Sequence, residues 1–381
     1  MSRYDLLIRG GEVLDPARAF RGRADVAVRD GRIAAVAPEL PAEGAGCVLD
    51  ATGRLVTPGL VDLHTHLGFE LHTEVVDANA VCPAAGVTAA VDMGSTGAFT
   101  FSWYRERVLS CVVPRLYAFI NIASLGTIAI HRPYYVERYG QYIDEADTIR
   151  TIAENRPAIK GIKVFATSAM TGEWPLEALR AARRVADATG VPIAVHVSVA
   201  PPSLAEVLDL LCPGDIVTHC FNPHSQGILG ADGHVLPEVR DARERGVLFD
   251  VGHGAGSFTF DVARRALDDG FLPDTISTDL YYANINGPVW DLPTTMMKFL
   301  ALGVPLEEVL RRVTCNPARA LGEPEIGSLA EGAPADIAVL SLEEGAYPLI
   351  DSRKVTLESP WRLRCEATVR GGALVYEREE A

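Results

Sequence analysis

The chain carries two textures of apolar and polar positions. In residues 1–54, short apolar stretches at 6–8, 26–28 and 33–36 are broken by Gly-Gly, Asp-Gly and proline-containing turns. That spacing predicts small antiparallel strands. The same texture returns at 337–340 and at 367–375, the latter around Gly371-Gly372. Two β-rich ends flanking a different middle predict one small β domain, a sandwich built from residues 1–54 and 325–381.

The middle alternates apolar runs with amphipathic stretches. Strands are expected at 55–63, 87–92, 115–121, 161–165, 192–196, 215–219, 247–251 and 275–278, and helices at 144–155, 175–189, 204–211, 236–245, 258–269 and 305–321. Strands that mostly alternate with helices predict an α/β fold, a closed parallel (β/α)8 TIM barrel over residues 55–324. An open doubly wound sheet is the alternative, but no G-x-G-x-x-G follows the first strand. Neither a tandem repeat nor a low-complexity tract is present.

Composition narrows the picture. With 381 residues, 48% hydrophobic and 22% charged, the chain suits one large domain and a minor one. A net charge of −15 leaves no basic stripe to neutralise phosphates, which argues against a nucleic-acid partner. The seven cysteines include no C-x-x-C pair, so zinc knuckles and redox motifs are not indicated, and their odd number fits a reducing compartment. The opening MSRYDLLIRGGEVLD lacks the apolar core of a signal peptide, and no run approaches the ~18 apolar residues of a membrane span. A cytoplasmic protein with no membrane partner is expected.

In such a barrel, chemistry gathers at the C-terminal ends of the strands. The first expected strand ends in Asp62-Leu63-His64-Thr65-His66, where alternation lets His64 and His66 face one ion together. The fourth carries Lys163, the fifth ends at His196, the sixth at His219, and Asp279 follows the eighth. Four histidines suit two divalent metal ions if some group bridges them. A lysine held in an apolar strand tends to lose its proton, and the neutral amine can take up carbon dioxide as a carbamate with two ligand oxygens. Lys163 is the candidate for that bridge, against the plainer reading of a snorkelling or ion-paired lysine. Lys160, three residues earlier, falls on the opposite face. Asp279 can hold a metal and act as the catalytic base, against the plainer reading of a helix N-cap. His253, in FDVGHGAGSF, is a candidate for substrate contact, as is Arg132, which could clamp a substrate carboxylate near His131, Tyr134 and Tyr135. His72, His224 and His234 lie in polar stretches and are not expected to be functional.

These residues resemble the amidohydrolase superfamily of binuclear metal enzymes, in YDLLIRGGEVLDP, VTPGLVDLHTH, NPARALG and GSLAEGAPADIAVL. The resemblance implies that His64 and His66 hold one ion and that His196 and His219 hold the other. It further implies Lys163 as the carboxylated bridge, Asp279 as ligand and base, and zinc as the usual metal. Within the superfamily the chain is similar to dihydroorotases, hydantoinases and small-substrate deacetylases. Dihydroorotases place an arginine where Gly68 stands, and hydantoinases place a tyrosine shortly after the lysine, where KVFATSAM has none. The GIKVF and DVGHGAGSF segments look most like the deacetylases. The resemblance therefore implies hydrolysis of an amide or ester acyl bond in a small, carboxylated molecule. Cyclic amide hydrolysis and a non-catalytic barrel scaffold are the alternatives, and a homo-oligomer is compatible with either.

Overall fold

The apolar run expected as one strand at 55–63 is divided between two sheets. In the computed structural model, which describes residues 3–68, 71–72, 74–130 and 132–379, it forms β5 (Leu55–Pro58) and β6 (Leu60–Thr65). The break falls at Gly59, where a Cβ would lie 2.0 Å from Thr88 Oγ1. Only glycine lets the two strands cross here.

β5 is the seam at which the two ends of the chain meet. Earlier come β1 (Tyr4–Asp15), β2 (Phe20–Arg29), β3 (Arg32–Ala37) and β4 (Ala45–Asp50). β5 runs parallel to β1 (Glu12 opposite Leu55) and antiparallel to a strand from the C-terminal segment (Val339 opposite Val56). Leu6, Ile8, Val26, Val56, Ile337 and Val369 fill the core that these strands share.

The barrel continues with β7 (Val87–Gly97), β8 (Arg115–Asn121), β9 (Ile159–Phe165), β10 (Ile193–His196), β11 (Ile216–Thr218) and β12 (Leu248–Asp250), paired in parallel in that order after β6. β13 (Ile337–Ile350), β14 (Thr356–Arg370) and β15 (Ala373–Glu377) complete the eight-stranded outer sheet, ordered β15-β14-β13-β5-β1-β2-β3 with β4 beside β1.

The expected eighth barrel strand, 275–278, takes the eighth place without a regular ladder. On one side Val251 N donates to Thr275 O at 3.1 Å and Gly254 N to Thr278 O at 2.9 Å. On the other, Asp279 N donates to His64 O at 2.6 Å and His66 N to Leu280 O at 2.8 Å. Lower down, residues 312–313 wedge between the first and eighth places: Ile276 N donates to Arg312 O at 3.0 Å and Val61 N to Val313 O at 2.7 Å. Those carbonyls are then unavailable to a continuing helix. The helix expected over 305–321 is accordingly two, Leu306–Arg312 and Cys315–Ala320.

Pro175–Thr189 forms the expected helix, begun by Pro175 and ended by Gly190 in the left-handed conformation. Glu145–Glu154, Leu204–Leu208, Pro237–Glu244 and Phe260–Asp268 lie within the expected spans. Leu292–Ala301 was not expected, because LPTTMMKFLA has a proline and two threonines near its start. Asp291 caps it through Thr294 N at 2.7 Å, and Leu292, Met296 and Phe299 bury one face. The β13–β14 hairpin reaches the barrel mouth, where Ser352 N donates to Phe258 O at 3.1 Å and Phe260 N to Asp351 Oδ2 at 3.1 Å. Among the described residues no helix is long and apolar enough to cross a membrane.

Candidate metal centre

The six groups expected to carry chemistry come together. His64 and His66 end β6, Lys163 lies in β9, His196 ends β10, His219 follows β11, and Asp279 follows the closing segment. All six line one cavity of about 150 Å³ at the barrel mouth. Ile130, Phe165 and Met170 form its apolar wall; Glu74, Thr127, Ser257 and Tyr281 add polar groups.

Asp279 Oδ1 lies 3.3 Å from His64 Nε2 and 3.2 Å from His66 Nε2, and Lys163 Nζ lies 3.3 Å from His64 Nε2. His64, His66 and Asp279 offer ligand atoms all within 4.8 Å of one another, a spacing one ion satisfies. The His219 ring lies 5.1 Å from that of His64 and 4.3 Å from that of His196, which gathers the second pair beside the first. His219 (φ 70°) and Asp279 (φ 50°) are both left-handed non-glycine residues. Such strain gathers where surrounding structure fixes a functional geometry.

Burial sets the charge states. It pushes His64 and His196 well below the usual histidine range and His219 to about 4. These three imidazoles are therefore neutral near pH 7, with a lone pair for a metal. Burial also lowers Lys163 to about 8, although Asp279, Asp250 and Asp92 oppose it. An appreciable neutral fraction of that amine is thus present in ordinary conditions.

A supporting layer orients these candidate ligand groups. Thr218 Oγ1 donates to Asp250 Oδ2 at 2.8 Å, so at 2.8 Å it accepts from His64 Nδ1, leaving the His64 Nε2 lone pair toward the cavity. His219 Nδ1 donates to Gly252 O at 2.7 Å, with the same result. His66 Nδ1 meets Ser95 Oγ at 2.9 Å, and Asp92 accepts Ser95 N at 2.9 Å. Asp62 accepts Thr278 Oγ1 at 2.6 Å and Thr278 N at 3.0 Å. Burial pushes Asp92 and Asp250 above the usual carboxylate range, and Asp62 to about 7.

Glycines clear the space. A Cβ on Gly94 would lie 2.6 Å from Lys163 Cγ, on Gly252 2.8 Å from His219 Nδ1, and on Gly254 2.4 Å from Asp279 Oδ2. Sequence reasoning passed over Asp62, Asp92 and Asp250. Their one shared local signal was an aspartate within an apolar run, as in LVDLH, AVDMG and LFDVG; the hydroxyl partners of Asp62 and Asp250 (Thr278, and Thr218, Thr275 and Ser277) lie far away in the chain.

The remaining candidates fall as follows in the fold. His253 is fully buried and does not line the cavity; its Nε2 meets Lys298 Nζ at 2.6 Å and its ring stacks on Phe258 at 4.6 Å. It packs behind the glycine loop, away from the cavity lining. Arg132 is exposed at the start of helix Pro133–Glu137, outside the cavity lining, because the chain turns outward there. It is not placed to clamp a bound carboxylate. His131 lies outside the described residues. Lys160 does fall on the face opposite Lys163, paired with Glu323 at 2.5 Å. His72 Nε2 meets Thr127 Oγ1 at 3.2 Å beside the cavity, while His224 and His234 are exposed.

Residues 55–369 match the Amidohydrolase family. A deacetylase of Agrobacterium fabrum is 38% identical over 324 residues, covering 85% of this chain and 79% of its own. The crystal structure of an adenine deaminase superposes with a TM-score of 0.91 at 30% identity, over 98% of this chain and 100% of that one. That of a dihydroorotase superposes at 0.89 with 32% identity, over 98% and 97%. One scaffold thus carries several reactions, and the barrel alone does not choose among them. With four-fifths of its length matched and the same architecture throughout, the chain belongs to the amidohydrolase family.

Proposed function

We propose that this hydrolase removes an acyl group, acetyl foremost, from a small amide or ester, using two divalent ions held by His64, His66, Lys163, His196, His219 and Asp279. The observation that carries the reading is the convergence of these six groups on one cavity, with neutral imidazoles beside a carboxylate and a lysine of lowered pKa. Such a donor set fits borderline-soft divalent ions, and zinc is the one expected. When bound, the ions would polarise the substrate carbonyl and acidify a water molecule. Lys163, as its carbamate, would supply the anionic oxygens that a neutral amine cannot. Asp279 would take the proton of the attacking water and pass it to the departing nitrogen or oxygen. Asp250 through Thr218, and Asp92 through Ser95, would keep His64 and His66 aimed.

The similarity to deacetylases favours an acyclic acyl substrate. So does Gly68, which supplies no side chain where dihydroorotases place an arginine, and where a Cβ would crowd the Tyr104 ring at 3.1 Å. Ile130, Phe165 and Met170 suit an acyl methyl group or an apolar neighbour of the scissile bond. Arg132 has no part in this reading.

The test is a screen of metal-loaded and chelated protein on N-acetyl amino acids, O-acetyl hydroxy acids, hydantoin and dihydroorotate. Turnover of an acetyl compound that vanishes on chelation is expected. Efficient dihydroorotate turnover with inert acetyl compounds would favour cyclic amide hydrolysis. A protein that binds no metal and turns over none of them would be a scaffold.

A further inference from the structure

The proposed chemistry leaves one buried cation unused. Lys298, in helix Leu292–Ala301, is fully buried, and its Nζ has three partners from three separate parts of the chain. It meets His253 Nε2 at 2.6 Å, Pro288 O at 2.7 Å and Ile350 O at 2.8 Å. His253 Nδ1 donates to Gly254 O at 2.8 Å, which leaves its Nε2 as an acceptor for the lysine. Three acceptors from three parts of the chain thus converge on one buried nitrogen.

What the pair holds is the wall of the reaction cavity. His253 lies within the glycine-rich loop 252–257. Gly252 O orients His219, Gly254 packs against Asp279, and Ala255, Gly256 and Ser257 line the cavity. Ile350 ends β13, so the lysine links that loop to the outer sheet. Ser352, just beyond, bonds both backbone groups of Phe258 on the loop's far side. A loop rich in glycine has much conformational freedom to lose, and a buried tie at its second residue removes part of it.

We propose that Lys298 is a positioning residue. Acting through His253, it clamps loop 252–257 against the outer sheet and so sets the placement of His219 and Asp279 in the reaction cavity. This inference rests on the reading of that cavity as the reaction site, but the clamp itself can be measured without turnover.

The test uses Lys298→Met, which keeps the length and removes the donors, and His253→Phe, which keeps the stack on Phe258 and removes the acceptor. In the folded, metal-loaded proteins, amide exchange across 252–257 is expected to quicken by about tenfold or more, with β8 and β9 unchanged. With whichever acyl compound the wild type turns over, kcat should fall about tenfold or more while metal content stays full, as for reacting groups held less well. The double variant should be no worse than the poorer single one, since both cut the same link. Should Lys298→Met fail to fold, His253→Phe carries both readouts. Wild-type exchange and wild-type kcat in the folded variants would overturn the inference and leave Lys298 an ordinary core tie. If the wild type turns over no acyl compound, the functional reading fails, and loop exchange alone decides the clamp.

Discussion

Gly254 offers a direct way to move Asp279 without changing its chemistry. A Cβ at position 254 would lie 2.4 Å from Asp279 Oδ2, whereas ordinary contact begins at 3.4 Å, so the carboxylate must retreat by 1.0 Å. It cannot do so by shifting its backbone, because Asp279 N is bonded to His64 O at 2.6 Å and Asp279 O to Asn284 Nδ2 at 2.7 Å. The movement therefore falls on the carboxylate itself. A misplacement of that size costs about 100-fold in kcat, or about 2.7 kcal/mol of barrier. Gly254 also has φ +55°, so alanine there adds about 1–2 kcal/mol of backbone strain. Gly256→Ala is the control, because Gly256 lines the same cavity and its Cβ would meet nothing within 4 Å. Steady-state kinetics on the best acyl substrate, metal content and urea unfolding would be compared for the two variants. Gly254→Ala with a kcat within about twofold of Gly256→Ala would refute the view that this carboxylate's position governs the reaction.

Lys163→Ala should lose most of its metal and activity, with partial recovery in short carboxylic acids; full metal content by elemental analysis would remove the bridge. Asp279→Asn should keep the unfolding midpoint and lose at least ~100-fold in kcat, the scale of a missing general base, and near-normal turnover would place the base elsewhere. Arg132→Met should leave KM unchanged, since that side chain stands outside the cavity; a large rise in KM would bring the carboxylate clamp back. Burial lowers Lys298 from 10.5 to about 7, so the folded amine sheds its proton at lower pH than the unfolded one. Its contribution to stability is present above the unfolded value and is lost as pH falls through about 7. The unfolding free energy of wild type relative to Lys298→Met should therefore rise by about 2 kcal/mol from about pH 7 to about pH 9, and a flat difference in urea titrations would contradict it.

The strand ends were legible because their information is local. Apolar runs of four to nine residues carry their own period, and the side chain at or just after the end of each is read directly from its position. Hence His64, His66, Lys163, His196, His219 and Asp279 could be assembled before any coordinates. His253 misled for an equally local reason: a histidine among glycines at a barrel mouth looks available to a ligand. The partner it meets behind the loop, Lys298, lies 45 residues away in the chain, where no local pattern points to it.

What the sequence determined alone is the alternating α/β architecture, the β-rich ends and the set of groups at the barrel mouth, since periodicity and strand polarity specify these without distant contacts. Tertiary structure decided the rest. It divided residues 55–63 between two sheets, because β5 finds partners in both β1 and β13. It split the helix over 305–321, because residues 312–313 give their carbonyls to the first and eighth places of the barrel. It recruited Asp62, Asp92 and Asp250 beneath the cavity-lining histidines and sent Arg132 outward. Each of these outcomes depends on which backbone and side-chain groups find partners far away in the chain. A buried polar group must find a partner, and only the folded arrangement says which one is within reach.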